Sequence, residues 1–180
     1  MTLQHWALSS LLFFFGCGAG TTSNVPPTTA GSSILFPGVT AVIFQSFGGG
    51  YKSVPEPIPA GAACDPAASS YTIGFDGPTV QFDSCTVSGD SSDPASYIPL
   101  SEPITVTSDQ WTMIDAAVAA VTVSAKRSCG EDGPLRALIV ETATASYGYQ
   151  DDFYSCPPTQ PPFVTAYSLD NLQQVLQAVR

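Results

Sequence analysis

A chain of 180 residues with 15 acidic and 5 basic side chains, a net charge of −10, is not built to hold nucleic acid, which needs clustered Lys and Arg against phosphate. The same shortage of cations excludes charge-driven docking on an anionic bilayer. The length suits one domain. The charged fraction is only 11%, beside 15 Gly, 16 Pro and 5 Cys, which indicates a loop-rich and strand-rich protein of an oxidising compartment.

Residues 7–15 (ALSSLLFFF) are apolar and uncharged, and too few for a bilayer-spanning helix, which takes about 20 residues. They have the character of the apolar core of a signal peptide and run into Gly16-Cys17-Gly18. A small residue followed by Cys resembles the lipobox of bacterial lipoproteins. In that family the chain is cut before the Cys, its thiol takes diacylglycerol, and the new amine is acylated, commonly with palmitate. Phe14 stands where the family usually has Leu, and residues 1–6 lack the usual Lys or Arg. The resemblance implies a signal peptide over 1–16, a lipid on Cys17, and attachment to a membrane of the bacterial cell envelope. Gly18 stands where Asp would mark retention at the inner membrane, which implies the outer membrane. With Cys17 set aside, the remaining cysteines form an even set.

The lipidated Cys and the Gly-, Thr- and Pro-rich stretch that follows, 17–33, are expected to form a flexible tether, since they offer almost nothing to bury. The folded domain is expected over 34–180. Residues 39–47 (VTAVIFQSF) predict a strand from their β-branched and aromatic content, closed or bulged by Gly48-Gly49-Gly50. No Lys-Ser/Thr follows those glycines at Walker spacing, so they are not a phosphate loop. A Pro-rich loop covers 53–69. Residues 71–75 and 79–82 flank Asp76-Gly77 and read as a hairpin, and 88–95 as a loop. A short extended stretch at 104–106 leads to a helix. There, Thr107 and Gln110 form a capping-box pattern, Asp109 sits in the first turn, and Val106 and Trp111 form a staple. Trp111, Ile114, Val118 and Val121 make its apolar stripe, continuing to Val123. Residues 137–149 read as one long strand and 163–166 as another. Ser168 is placed to cap a last helix, with Tyr167 and Leu172 as its staple and Leu169, Leu172, Leu176 and Val179 as its buried stripe. The sum is an α+β fold: a mainly antiparallel sheet with two helices packed on one face.

Cys64, Cys85, Cys129 and Cys156 can pair in more than one way. Cys64–Cys85 with Cys129–Cys156 is preferred, because each bridge then closes a loop around one hairpin region. Zinc is disfavoured, since no C-x-x-C pair and no histidine partner exist, and the same spacing argues against a redox site. The single histidine, His5, leaves with the signal peptide, which excludes Ser-His and Cys-His nucleophiles. Of the close carboxylate sets, Asp90 and Asp93, Glu131 and Asp132, and Asp151 and Asp152, none is brought to another by the sequence. A sugar-cleaving pair and an EF-hand are therefore not indicated, and no metal or cofactor is expected. The best candidate binding segment is Tyr147, Tyr149, Asp151, Asp152, Phe153 and Tyr154, where aromatics stand beside acids. Tyr147 and Tyr149 share one strand face, and the preferred reading is that they pack under a helix while Phe153 plugs a loop.

The order of elements resembles small bacterial domains of the emfourin type, which inhibit thermolysin-like metalloproteases. The likeness rests on a first strand ending in glycines (FQSFGGG, 44–50), a Thr-capped helix after an extended run, a later hairpin and a terminal helix. It spans about 39–180 and implies a shared topology; Gly48 to Gly50 is its only match at the level of residues, and disulfides are not part of that family's pattern. The reading as a whole is a lipid-anchored envelope protein, not an enzyme, with a domain that binds an envelope protein or glycan or serves structurally. The alternatives are a protease inhibitor and a carboxylate-dependent hydrolase.

Overall fold

β1 (Val39–Phe47) is apolar on both of its faces, and this suits the position it takes, between two neighbours in the middle of a sheet. The computed structural model describes residues 26–48, 58–125, 135–152 and 164–180. After β1 come β2 (Ala68–Gly74), β3 (Thr79–Val87), a 3-10 turn (Pro94–Ser96) and β4 (Tyr97–Ile104). Then follow α1 (Ser108–Ala119), β5 (Thr122–Ser124), β6 (Leu135–Thr142), β7 (Ser146–Asp151), β8 (Val164–Tyr167) and α2 (Leu169–Val179). The strands form one 8-stranded sheet in the order β4-β3-β2-β1-β6-β7-β8-β5. β1 to β4 make a meander, each strand antiparallel to the next. β6 returns to the open side of β1.

The α+β class is what the structure shows, but the sheet is mixed: β8 runs parallel to β7, against the expectation of a mainly antiparallel sheet. Local patterning gives a strand its faces but not the direction of its neighbour. Three further elements differ from the sequence reading. Residues 137–149 are two strands, β6 and β7. Their turn carries none of the usual turn residues; instead the Thr142 hydroxyl accepts from the Ala145 amide at 3.0 Å and donates to its carbonyl at 3.0 Å. β4 lies where only 104–106 was expected to be extended, because Pro99 and Pro103 mask it. And the apolar stripe of α1 does not stay helical to Val123: the helix ends at Ala119, and the β-branched run that follows becomes β5.

Alternation along the strands sends Val42, Phe44, Tyr71, Ile73, Val80, Phe82, Leu138, Val140 and Tyr149 to one face, into the same buried cluster as Ile114, Ala117 and Val118 of α1 and Leu169, Leu172, Leu176 and Val179 of α2. Both helices thus cover one face. Each fully buried aliphatic side chain contributes about 2 kcal/mol by leaving water. Thr107 caps α1 with both capping-box bonds, Gln110 N to Thr107 Oγ1 at 3.3 Å and Thr107 N to Gln110 Oε1 at 2.9 Å. Ser168, placed by the sequence as the cap of α2, makes no side-chain cap bond and sits at φ 72°. The N-terminal segment joins the sheet before residue 34. The Gly31 amide donates to Val123 O, the Val123 amide to Ser32 O and the Ile34 amide to Val121 O, with Ser33 bridged to Thr122.

Cys64 and Cys85 are bonded, with Cα atoms 5.7 Å apart; the bridge ties the loop before β2 to β3. Cys129 and Cys156, expected to form a second bridge, lie outside the described residues, as does Cys17.

Candidate functional site on the open face of the sheet

The residues between the buried ones point to the other face, which no described helix covers. Register assembles them into rows across β4-β3-β2-β1-β6-β7. The central row is Ser101, Asp83, Ser70, Gln45, Ala137 and Gln150. On one side of it runs Pro103, Gln81, Thr72, Ile43, Ile139 and Gly148, and on the other Pro99, Cys85, Ala68, Phe47 and Leu135. The rows divide the face into two halves. Over β1, β6 and β7 it is mainly apolar, with Ile43, Phe47, Leu135, Ala137 and Ile139 beside the bare backbone of Gly148 and with Gln45, Gln150 and Glu141 among them. Over β2, β3 and β4 it carries hydroxyls, amides and a carboxylate.

Each half holds a shallow hollow. The apolar one, ≈ 410 Å³, is lined by Phe47, Leu135, Ala137 and Ile139 with Gln45 and Gln150. The polar one, ≈ 250 Å³, lies beside the Cys64–Cys85 bridge and is lined by Asp65, Ser70, Asp83 and Ser101. Gln45 and Phe47 line both, so the two hollows are neighbours. The polar side chains are held in place by one another. Asp83 Oδ1 accepts from Gln81 Nε2 at 3.0 Å and from Ser101 Oγ at 2.5 Å, and Gln81 Nε2 also reaches Ser101 Oγ at 2.9 Å. Asp65 Oδ1 accepts from the Ala67 amide at 2.8 Å. Such an arrangement offers an ordered set of acceptors next to apolar surface, which suits recognition more than bond-making.

The aromatic and acidic segment singled out in the sequence is directed elsewhere. Tyr147 and Tyr149 share a strand face, but it is the covered one. Tyr147 packs edge-on against Phe36, ring centroids 5.6 Å apart. Tyr149 is 2% exposed and its hydroxyl has no hydrogen-bond partner. Burial, with the neighbouring Tyr147 adding to it, pushes the Tyr149 phenol up to about 12. Asp151 is buried and paired with Arg136 at 2.9 Å. Arg136 Nε also donates to Gln173 Oε1 at 2.6 Å, tying β6 to α2. Asp152 accepts from Ser124 Oγ at 2.7 Å. Phe153 and Tyr154 lie outside the described residues.

The other carboxylate sets stay apart. Asp90 accepts from the amide and hydroxyl of Ser92, both at 2.8 Å, which holds its carboxyl below the usual range. Asp93 caps the 3-10 turn through the Ala95 amide at 2.9 Å. Glu131 and Asp132 lie outside the described residues. Among the described residues no group of three or more His, Cys, Asp or Glu is placed to hold a metal ion, and no helix is long and apolar enough to cross a membrane.

The open face was missed in the sequence because its members are scattered over six strands. One signal was present: β1 and β6 carry Ile43, Phe47 and Ile139 at positions where strict alternation would place polar residues. No family model, curated protein or solved structure matches the chain.

Proposed function

We propose that this chain is a lipid-anchored protein of the bacterial envelope, attached through Cys17 at the outer membrane, whose α+β domain binds an envelope macromolecule rather than catalysing a reaction. The observation that carries the binding role is the open sheet face: a half-apolar, half-polar surface spanning six strands, with its polar groups pre-ordered. The lipobox-like run ending at Cys17 supports the anchor, and the Cys64–Cys85 bridge suits an oxidising compartment. Cys129 and Cys156 complete a second bridge in this reading.

The test is the intact mass of the protein taken from membranes, alkylated with and without prior reduction. The expected chain begins at Cys17 and carries acyl mass. It gains alkyl groups on Cys64, Cys85, Cys129 and Cys156 only after reduction. A chain without lipid, or with these thiols free, overturns the assignment to the envelope.

A further inference from the structure

Both edges of the sheet are closed to strand addition. Residues 31–34 occupy the outer side of β5. β4 carries Pro99 and Pro103, which have no N–H to offer an incoming strand. Of the sheet's described surfaces, the open face is the one left for a partner. Six strands at about 4.8 Å give a width of about 24 Å, the length of roughly seven extended residues. That is a span for a segment of polypeptide laid across the strands.

Charge decides which segment. Asp65 and Asp83 line the polar hollow, and Glu141 lies on the same face, opposite Ser146. Among the described residues no base answers them. Arg136 and Arg180 are the only basic residues described; Arg136 is paired with Asp151, and Arg180 with Glu102 at 3.6 Å, its guanidinium 3.7 Å from the centre of the Phe82 ring. The chain as a whole stands at −10, a field that draws cations and repels anions. A carboxylate has about four lone-pair sites, so the two bonds accepted by Asp83 leave room for an incoming ammonium or guanidinium. We infer that the open face takes a basic polypeptide segment, with apolar side chains on Phe47, Leu135 and Ile139 and a Lys or Arg against Asp83 and Asp65. This rests on the reading of the face as the binding surface.

The test uses the protein extracted from membranes in a non-ionic detergent and a fluorescent peptide in which lysines alternate with leucines. Two control peptides have Glu for Lys, or Ser for Leu. Anisotropy is expected to show binding of the Lys-Leu peptide, none of the Glu peptide and weaker binding of the Ser peptide. Binding should fall between about 50 and about 300 mM NaCl as screening sets in. Asp83→Asn should weaken it roughly fivefold and Ile139→Lys about tenfold. Asp170→Asn, the same change of charge on α2, should leave it as it was. Equal loss with Asp170→Asn and Asp83→Asn means attraction by net charge alone and overturns the inference. So does binding of a neutral oligosaccharide that Asp83→Asn abolishes while the peptides fail; that result would keep the binding role and change the partner. Absence of lipid in the mass measurement counts against the envelope assignment and leaves this result to be read separately.

Discussion

Tyr149 is the residue whose position costs most for what it contributes. Its ring belongs to the core, beside Leu138 in register, but its hydroxyl is buried without a partner. An orphaned buried hydroxyl costs about 1 kcal/mol or more, so Tyr149→Phe is expected to raise stability by about 1 kcal/mol at neutral pH, read from urea unfolding midpoints. The phenol adds a pH dependence. An unfolded tyrosine loses its proton near pH 10, whereas Tyr149 in the fold is pushed up to about 12. The folded state then holds this proton more tightly. Its contribution is intact below about pH 10 and is lost as pH climbs toward about 12. In Tyr149→Phe that part of the alkaline fall should vanish; an identical pH profile in both proteins would mean that the phenol is not buried as described. Tyr71 is also raised by burial, but Arg180 opposes the shift, so it adds less. Arg136 shows the contrary case: a largely buried charge whose partners, Asp151 and Gln173, satisfy it and so make it hard to replace singly.

At the scale of elements, α1 is where sequence and structure agree most closely. Thr107→Ala removes one capping bond and leaves the Gln110 amide without its acceptor, so about 1 kcal/mol of stability should go. Unchanged thermal unfolding would place the N-terminal anchoring of α1 elsewhere, in the Phe75–Trp111 contact at 6.1 Å for instance. Caps and stripes are local, involving residues three or four apart, which is why both helices, β1 and the hairpin of β2 and β3 could be read directly. The elements that escaped depend on something non-local. β4 is a strand because β3 pairs with it; its two prolines permit extended backbone but remove the ladder donors that mark a strand in sequence. The turn between β6 and β7 is closed by the Thr142 hydroxyl together with the backbone bond from Thr142 N to Ala145 O, with no turn-forming residue to announce it. The parallel pairing of β7 with β8 is a matter of topology, not of residue pattern. The candidate site belongs with these: its halves exist only after six strands are in register. Conversely, Tyr147, Tyr149 and Asp151, conspicuous in the sequence, are drawn to the covered face by the alternation that also buries Leu138 and Val140.

For the whole molecule, the two edges of the sheet decide whether it stays single. The β4 edge exposes Ile98 and Leu100, at 43% and 41%, and would attract a second copy if its backbone could pair. Pro99 and Pro103 prevent that. Replacing both by threonine, which favours strands, is expected to add concentration-dependent self-association beyond that of the parent protein, seen by light scattering; a variant that scatters like the parent would show that the prolines do not guard this edge. The position of β1 carries a consequence of another kind, in time rather than space. Its neighbour on one side, β2, follows closely in the chain, but Val42 pairs on the other side with Val140. During synthesis, which proceeds from the N-terminus, VTAVIFQSF must wait for β6 with one side unpaired. That stretch is apolar, uncharged, rich in β-formers and free of proline, the composition that most readily joins like segments from other chains. The hazard of pairing with other chains therefore belongs to the interval before β6 is made, not to the finished fold.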